Sequence, residues 1–502
     1  QFKNSENGIK RFNFTAKSGE LIGIMGGSGV GKTTLLSILN GTQPPDYGQV
    51  LINGIDIYKN SEKITGIIGY VPQDDFLIEE LTVFENLLFN AKFCFGNLNE
   101  EEIINKVNNL LEELSLYEIR NLKVGSTLNK YISGGQRKRL NIALELMREP
   151  MVLLVDEPTS GLSSSDSEKV MELLKEQTYN GKLVILNIHQ PSSNIFKMLD
   201  KLLVMDKGGT PVYYGNAIDS LSYFKNIFQS INAEENECLW CGNINPEQIL
   251  EIIETNKVDE RGYDLNERYI STEEWYDLYI TNIDSQVVIK PERIPIPKSN
   301  FQTPSKLKQF ALFLIRNIKC KITDTQYMII NILEAPLLAL ILAFFTRYIE
   351  ANQKYVFGDN DNIPAFIFMS VVVALFLGMM GSAEEIIRDA KQLKRESFLN
   401  LSRQSYINSK VIYLFFVSAI QMLIYVLISN YILEIKGMNF AYWIILFSTS
   451  ACANMIGLNL SAGLKSVVAI YIFIPLLLIP QLLLSGTVVK FDKLHPWLSS
   501  GI

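Results

Sequence analysis

A group of glycines followed by a lysine and a threonine lies near the start of the chain. Gly26, Gly31, Lys32 and Thr33 satisfy the pattern G-x-x-x-x-G-K-[ST], between a strand-like apolar run and a helix-forming run. In such a loop backbone N–H groups surround phosphates, the lysine pairs with the β- and γ-phosphates, and the threonine hydroxyl reaches Mg²⁺. The motif therefore predicts binding of a nucleoside triphosphate with Mg²⁺. The expected contacts are Gly26, Gly27, Ser28, Gly29, Val30, Gly31, Lys32, Thr33 and Thr34.

Polar side chains follow three further apolar runs, each of which predicts a buried strand. Asp156 and Glu157 end MVLLVDE, Gln73 ends IIGYVPQ, and His189 ends LVILNIH. Asp156 suits Mg²⁺ binding, and Glu157 suits the general base for the attacking water. Gln73 could reach the same metal as Thr33, and His189 could hydrogen-bond the γ-phosphate. The alternatives are a solvated acidic strand end and a structural histidine.

Two more groups are candidates for nucleotide contact. A second glycine-rich helix start, capped by its serine, is ready to bind an anion. It consists of Ser133, Gly134, Gly135 and Gln136. Phe2 lies 24 residues before the first glycine of the phosphate loop. It could stack on adenine or simply pack in a strand, and both interpretations stay open.

The runs between these groups predict the elements that hold them. Residues 1–20 alternate polar and apolar side chains, which predicts edge strands of a small antiparallel sheet with a turn at Asn7 and Gly8. Residues 81–116 change to the helical period, with Asn99 as N-cap. We therefore expect an α/β domain that contains a helical insertion.

Apolar runs of membrane length occur only in the second half of the chain. Five runs are each long enough to cross about 30 Å of hydrocarbon. They are residues 327–346, 363–381, 411–433, 442–462 and 467–486. SKLKQFALFLIRNIKCKIT precedes them and predicts an amphipathic helix along the inner membrane surface, with an ordinary cytosolic helix as the alternative.

Basic residues are distributed unevenly between the loops that join these spans. The second-to-third connection carries Arg388, Lys391, Lys394, Arg395, Arg403 and Lys410, whereas the first-to-second carries only Arg347 and Lys354. The asymmetry places the former connection in the cytoplasm. Within the spans, Glu334 is a candidate for contact with substrate, coupling helices or another helix. Residues expected to hold helices together are Gln421, Asn430, Asn454, Asn459 and Gln481.

Charge and cysteine content exclude several classes of protein. The formal net charge of -7 offers no basic surface, so no nucleic-acid partner is expected. None of the five cysteines lies in a segment placed outside the membrane, so structural disulfides are not expected. Cys238 and Cys241 form a lone C-x-x-C that lacks two further zinc ligands nearby.

The order of these motifs resembles a known family. GGSGVGKTT, Gln73, ISGGQ, LLVDEPTSGL and His189 resemble the Walker A, Q-loop, signature, Walker B with D-loop, and H-loop of the ABC-transporter nucleotide-binding domain. IHQPSSNIFKMLDKLLVMDKGGTPVYYG and CGNINPEQILEII are similar to the G subfamily, which exports lipids, sterols and other hydrophobic molecules. Ser163 departs from the pattern, because the family D-loop usually has Asp there; the usual D-loop contacts across a dimer are therefore not carried over.

The resemblance implies an α/β P-loop ATPase domain, with a RecA-like core and antiparallel β and helical subdomains, followed by an all-α polytopic membrane domain. It implies ATP and Mg²⁺ as cofactors, and a cytoplasmic ATPase on a multi-pass protein of the cell membrane. Two ATPase domains would close head to tail, so that Ser133, Gly135 and Gln136 serve the nucleotide of the partner. The implied partners are a second copy or a closely related half-transporter, the lipid bilayer and a hydrophobic substrate.

Two alternative functions differ from export. A membrane-anchored ABC ATPase could regulate or signal without moving a substrate. A soluble ABC ATPase of translation or DNA repair is disfavoured by the spans and the acidic balance. The charged inner loop, EEIIRDAKQLKRESFLNLSRQSYINSK, resembles the coupling segment of the subfamily, with a solvated basic loop as the alternative.

The expected domains are an ABC nucleotide-binding domain at residues 1–225, a connector at 226–304, an amphipathic connecting helix at 305–326 and an ABC-2 type membrane domain at 327–502. SGTVVKFDKLHPWLSSGI is similar to the outer re-entrant region of the family, which precedes a sixth span. We therefore expect the sequence to be a fragment without its sixth span and with flanking domains missing at the front. Its Asn-, Ile- and Lys-rich composition suggests an AT-rich bacterial genome.

Overall fold

The computed structural model describes residues 8–126, 129–228, 237, 242–259, 264–287, 295, 301–348 and 355–484. These belong to two compact units, Gln1–Gln302 and Thr303–Ile502. Phe2, the Cys238–Cys241 pair and the predicted re-entrant region after residue 484 lie outside the described residues.

The described part of the first unit has ten strands and nine α-helices. The strands are β1 Leu21–Gly26, β2 Leu51–Ile52, β3 Ile55–Asp56, β4 Ile68–Val71, β5 Val152–Val155, β6 Leu183–Asn187, β7 Lys201–Asp206, β8 Thr210–Asn216, β9 Asn256–Val258 and β10 Asp264–Arg268. The helices are α1 Lys32–Leu39, α2 Val83–Cys94, α3 Glu100–Glu113, α4 Gly134–Leu146, α5 Ser164–Tyr179, α6 Ser193–Met198, α7 Asp219–Ile227, α8 Glu247–Glu254 and α9 Thr272–Asn282.

A six-stranded sheet in the order β4-β5-β6-β1-β7-β8 organises this unit. The first five strands are parallel, and β8 pairs antiparallel with β7. Apolar side chains of the central strands pack with α1 into a buried core that includes Ile22, Leu36, Leu154, Ile185 and Leu203. Central strands buried on both faces explain the continuous apolar runs of the sequence. The predicted α/β fold is confirmed.

The chain before β1 differs from the prediction. In the described residues 8–20 no strand is present. Lys10 N donates to the carbonyl of Gly209, but within residues 8–20 this bond does not continue into a ladder. Phe12 and Phe14 instead pack their rings on the core. The alternating pattern therefore reflects side chains that cover the sheet rather than edge strands.

The helical insertion is confirmed as α2 and α3. Asn99 caps α3 with a capping box, because it accepts from Glu102 N while the Glu102 side chain accepts from Asn99 N. The buried face of α3 includes Ile103, Val107 and Leu111, which have the predicted helical spacing. Capping boxes at Thr82 and Ser133 likewise begin α2 and α4.

The described part of the second unit contains seven α-helices. They are α10 Lys306–Thr323, α11 Thr325–Thr346, α12 Ile363–Ser382, α13 Ala390–Glu396, α14 Arg403–Ile432, α15 Asn439–Gly463 and α16 Val467–Leu484. Within the described residues α11, α12, α14 and α15 are long and apolar enough to cross a membrane, and α16 is a shorter apolar helix. The predicted fifth run is therefore helical as far as it is described. The third predicted span begins a helix two turns earlier, at Arg403.

Small residues let the spans approach each other. A Cβ on Gly378 of α12 would overlap the Ser450 carbonyl oxygen of α15, and one on Gly457 would overlap the Ser382 hydroxyl. Close packing through small residues is how membrane helices gain van der Waals contact without a hydrophobic drive from water.

The predicted helix is present as α10, and both polar and apolar side chains are buried along it. Buried positions include the polar Gln309, Arg316 and Asn317 beside Leu312 and Phe313. Two apolar side chains of the same helix, Ile315 and Ile318, are exposed. The reason is that charged and amide side chains of α10 bond to neighbouring helices, which turns that polar stripe inward.

Candidate functional site

The phosphate loop runs from the end of β1 into α1. A Cβ at Gly26 would overlap the Met205 carbonyl oxygen on β7, and Gly31, the N-cap of α1, has a left-handed φ of 103°. Lys32 is 7% exposed, and its ammonium donates to the carbonyls of Gly26 at 2.9 Å and Gly27 at 2.7 Å. The lysine therefore lies inside the backbone turn that the glycines make possible.

The charge of Lys32 is only partly balanced by the chain. Burial lowers its pKa, and the carboxylates of Glu157 and Asp156 oppose that effect by favouring the charged form. An anionic phosphate would act in the same direction as these carboxylates. The position is therefore suited to a lysine that pairs with a ligand.

Four neighbouring strands bring the predicted groups to one edge of the sheet. The order β4-β5-β6-β1 places Gln73, the Asp156–Glu157 pair, His189 and the phosphate loop side by side. Because these strands are parallel, their carboxyl ends meet at the edge where open α/β sheets bind ligands. Residues far apart in sequence thus form a single candidate site.

Asp156 is buried and has three polar neighbours. Asn187 Nδ2 donates to its Oδ1 at 2.7 Å, and the Thr33 hydroxyl lies 3.4 Å from the same oxygen. The Tyr70 hydroxyl lies 3.4 Å from Oδ2. Thr33 and Asp156, both predicted for metal binding, are therefore neighbours. Sequence reasoning missed Asn187 and Tyr70, although Asn187 carries a signal, since it is the polar end of the apolar run LVILN.

The oxygens around Asp156 fit Mg²⁺. A carboxylate and a hydroxyl are hard oxygen donors, and Mg²⁺ in nucleotide sites takes one or two protein oxygens while phosphates and waters complete its shell. Among the residues described, no group of three or more His, Cys, Asp or Glu could hold a metal ion. The Thr33 hydroxyl and the Asp156 carboxylate thus match the one or two protein oxygens of a nucleotide-bound Mg²⁺, and their role at the metal stays a prediction.

Glu157, the predicted base, contacts the predicted Q-loop glutamine. Gln73 Nε2 donates to Glu157 Oε2 at 2.8 Å. Glu157 also has a left-handed φ of 45°, an uncommon backbone conformation for a residue with a side chain. Such strain persists where surrounding structure holds it, often at functional sites. The role of Gln73 at the metal stays a prediction.

The helix α4 holds the backbone of this glutamine. Lys138 is buried and its ammonium donates to the Gln73 carbonyl at 3.0 Å, while Arg137 Nε lies 3.2 Å from Asp75 Oδ2. Burial lowers the pKa of Lys138, against the opposing effect of several nearby carboxylates, Asp75 first. The helix that begins at Ser133 is therefore joined directly to the segment after β4, which sequence reasoning did not predict.

His189 lies two residues beyond the end of β6 and is exposed. Within the described part of the chain its imidazole has no hydrogen-bond partner. It stands at the same sheet edge as Asp156 and Glu157, so it can meet a ligand there. Its proposed contact with the γ-phosphate stays a prediction.

The glycine-rich start of α4 forms a capping box. Gln136 N donates to Ser133 Oγ at 3.2 Å, and Ser133 N donates to Gln136 Oε1 at 2.8 Å, which confirms the predicted N-cap. A Cβ at Gly135 would lie 2.6 Å from Asp166 Cγ. Ser163, the D-loop departure, caps α5 and donates to Asp166 Oδ2 at 3.1 Å.

A second concentration of charge lies in the membrane unit. We define the inner-loop cluster as Lys321 of α10, Glu385 and Asp389 of the inner loop, and Lys410 of α14. Lys410 Nζ lies 2.9 Å from Glu385 and 2.8 Å from Asp389, and Lys321 also pairs with Glu385. Glu385 and Lys410 are buried. Lys410, predicted in a basic connection, is therefore part of a closed ionic network.

The inner-loop cluster keeps its carboxylate ionised. Burial by itself would raise the pKa of Glu385, but Lys410 and Lys321 outweigh it and lower that pKa to about 2. A neighbouring pair, Arg316 Nη1 with Glu396 Oε1 at 2.5 Å, is also buried. Together these pairs join α10 to the inner loop and to α14. A wholly solvated basic loop is therefore wrong for this segment, although Lys391 and Lys394 are exposed.

The predicted polar residues within the spans divide into three groups. Three of the predicted helix-bonding residues reach another helix: Gln421 donates to the Asn331 carbonyl at 3.2 Å, Asn430 to Asn439 at 2.8 Å and Asn454 to Ser418 at 2.8 Å. Asn459 bonds within its own helix. Glu334 is half-buried, Gln481 is exposed, and neither has a hydrogen-bond partner within the described residues.

Models of known families match three stretches of this chain. The ABC transporter model matches residues 9–160, and two ABC-2 type transporter models match residues 308–501 and 189–238. A solved structure, cbiO1 from Clostridium perfringens, part of the ABC transporter complex cbiONQ, is 32% identical, with a TM-score of 0.38, covering 44% of this chain and 84% of that one.

Relatives come from several eukaryotic lineages. ABC transporter G family member 2 of Dictyostelium discoideum is 32% identical over 74% of this chain and 27% of its own length. The ABC-type transporter claG of Penicillium crustosum and ABC transporter G family member 26 of Arabidopsis thaliana are each 41% identical over 42% of this chain, or 28% and 30% of their own lengths. The chain thus spans less than a third of these relatives, and the suggested bacterial origin has no support among them.

The ABC transporter match and the shorter ABC-2 type match lie in the first unit, and the longer ABC-2 type match lies in the second. The α/β unit carries the ABC ATPase domain, and the helical unit carries the ABC-2 membrane domain with its four membrane-length helices. This is a membrane protein whose ATPase domain lies on the cytoplasmic side. The chain therefore carries an ABC transporter ATPase domain that precedes an ABC-2 type membrane domain, and it is similar to ABC transporters of the G family.

Proposed function

We propose that the chain hydrolyses ATP to export a hydrophobic or lipid-like substrate across the membrane. The observation that carries this proposal is the alignment of Gln73, Asp156, Glu157 and the phosphate loop at the ends of four adjacent strands, in a chain that continues into membrane-length helices. Relatives named above are described as transporters, which supports a transport function for this chain.

The residues at the sheet edge have distinct roles in the proposed hydrolysis. Lys32 pairs with the phosphates, and Thr33 and Asp156 hold Mg²⁺, which when bound neutralises phosphate charge. Glu157 accepts the proton of the attacking water, and its contact with Gln73 fixes the carboxylate at 2.8 Å from an amide donor. His189 contacts the γ-phosphate from the neighbouring strand.

The first turn of α4 supports a composite site with a second chain. Ser133 and Gln136 bond to each other, so the backbone N–H groups and positive end of the helix are what this turn offers to an anion. We propose that this turn meets the nucleotide of a partner copy or a related half-transporter. ATP binding closes the two ATPase domains, and the inner loop passes that closure to the membrane domain.

The test uses inside-out vesicles that contain the full chain, with a fluorescent phospholipid and a fluorescent sterol as probes. Wild type is expected to accumulate at least one probe in an ATP-dependent manner, whereas Glu157→Gln binds ATP without accumulation. The matched control is Glu172→Gln, an exposed carboxylate on α5. Equal accumulation by wild type and Glu157→Gln overturns the export proposal.

The second candidate function is regulation by a membrane-anchored ATPase. It is favoured by Glu334 and Gln481, whose polar groups lack a partner within the described residues and could serve contact with another protein rather than substrate. Vigorous hydrolysis by wild type that moves neither probe, together with a change in hydrolysis when a partner protein is added, supports this alternative over export.

A further inference from the structure

Asn187 is the last residue of β6 and is fully buried beside the proposed metal site. Its Nδ2 donates to Asp156 Oδ1 at 2.7 Å, the shortest of the three polar contacts to that carboxylate. The Thr33 and Tyr70 hydroxyls both lie 3.4 Å from it. Asn187 is therefore the neighbour that most closely restrains the orientation of Asp156.

The chemistry of the pair decides which end of the amide faces the carboxylate. An ionised Asp is an acceptor only, so Asn187 must present its NH₂ group to Asp156. Its carbonyl oxygen then points elsewhere. That Oδ1 is buried and has no hydrogen-bond partner within the described residues.

A buried amide oxygen without a partner is unusual in a strand of a parallel sheet. Buried polar atoms are nearly always paired, and exceptions call for an explanation such as an ion or a bound water. Asn187 lies next to the phosphate-loop strand, because it pairs in register with Ile24 of β1. The unpaired oxygen thus belongs to a side chain at the end of the strand beside the phosphate-loop strand, and the amide group of that side chain contacts Asp156.

We propose that Asn187 is a positioning residue for the Mg²⁺ site, an inference that rests on the proposed function. Its NH₂ group fixes Asp156 for metal binding, and its free carbonyl oxygen accepts a hydrogen bond from a water in the hydration shell of the metal. Outer groups that orient a ligand commonly change metal affinity by 10–100-fold when removed.

The experiment measures binding rather than turnover. The full chain with Glu157→Gln is purified in detergent, and its affinity for ATP is measured in EDTA and with Mn²⁺ as the metal probe. Bound Mn²⁺ is followed by its electron paramagnetic resonance signal. Asn187→Leu is expected to weaken Mn²⁺ binding by about 10–100-fold, with ATP affinity in EDTA changed by less than about twofold.

Two further variants test whether a loss of Mn²⁺ affinity is specific to the amide of Asn187. Asn187→Ser keeps a small donor and acceptor and is expected to recover part of the Mn²⁺ affinity. Asn90→Leu removes another buried amide, one that accepts from Cys94 on the same helix, and is expected to leave Mn²⁺ affinity unchanged. If Asn187→Leu does not fold, the decision rests on Asn187→Ser, which must bind Mn²⁺ more weakly than the parent.

Unchanged Mn²⁺ affinity in the folded Asn187 variants overturns the inference. An equal loss of ATP affinity with and without Mn²⁺ also overturns it, because that pattern indicates general damage to the fold. A parent chain that binds ATP no better with Mn²⁺ than in EDTA instead contradicts the proposed function itself, so the two failures are distinguishable.

Discussion

The nucleotide site of the first unit and the inner-loop cluster of the second both gather charged side chains, yet the partners of those charges differ. Lys32 donates to two backbone carbonyls, and Asp156 is contacted by an amide and two hydroxyls. In the inner-loop cluster, Glu385 is paired with Lys321 and Lys410 inside the chain. The charged groups of the nucleotide site are therefore available to pair with a ligand. Those of the inner-loop cluster are already paired with each other.

This difference separates charged side chains that bind a ligand from charged side chains that stabilise the fold. A closed buried ion pair gains little over apolar packing, but removing one partner leaves the other charge buried and is strongly destabilising. A charge held by neutral groups loses binding when removed, with less effect on the fold. Substitutions in the two regions should therefore show opposite patterns of lost activity and lost stability.

The largest expected effect is on hydrolysis at the phosphate loop. Lys32→Ala is expected to lower ATP turnover at least about 100-fold, because a charge aimed at the transferring phosphate is lost. Phosphate release by the purified full chain measures this, with the exposed Lys169→Ala on α5 as control. Turnover near the wild-type rate in Lys32→Ala would show that the loop has another function.

Removing one charge from the inner-loop cluster should act on stability instead. Glu385→Gln is expected to lower the free energy of unfolding by about 3–5 kcal/mol, because Lys321 and Lys410 lose their shared carboxylate. Denaturant unfolding of the detergent-solubilised chain measures the change. A loss below about 1 kcal/mol, the range of exposed pairs, would contradict a closed cluster.

Acid should remove the same contribution without a mutation. The pKa of Glu385 falls from 4.5 to about 2 in the fold, so its ionised form stabilises the chain above pH 4.5. The contribution, about 3 kcal/mol, is lost as the pH falls from 4.5 towards 2. The stability difference between wild type and Glu385→Gln should shrink over this range, and a constant difference would count against the ionic cause.

The smallest effect is expected at an exposed pair in the same unit. Arg347 Nη2 lies 2.8 Å from Glu434 Oε1, with side chains 32% and 50% exposed. Glu434→Gln is therefore expected to change the free energy of unfolding by less than about 1 kcal/mol, because water screens the pair. Measured beside Glu385→Gln, it is the matched control for burial, and equal losses would remove burial as the cause of the difference.

Predictions that depend on neighbours in sequence were the reliable ones. The caps at Asn99 and Ser133 and the helix after Gly31 are local features, since each is set by hydrogen bonds within a few residues. Four of the five predicted spans are membrane-length helices in the described residues, because membrane length and apolar composition are properties of a single run. By contrast, the alternation before β1 did not become strands, because strand formation needs a partner that local pattern does not supply.

Pairings between distant residues could not be derived from the sequence. The Gln73–Glu157 contact and the Asn187–Asp156 contact each join the ends of neighbouring strands. The order of strands in a sheet cannot be derived from any single segment of the sequence. The sequence placed Lys410 in a basic connection and left open whether that connection is solvated, because charge alone does not reveal burial. Its pairing with Glu385 exists only once α14 packs beside the inner loop.

By itself the sequence determined the ATPase motifs, the helix caps and the apolar runs of membrane length. Each of these depends on residues that are close together in the sequence. Only the tertiary structure decided which charged groups form ion pairs within the chain and which are available to bind a ligand. That outcome depends on strand order and helix packing, which set the distance and the burial of each pair, and with them the free energy of its charges.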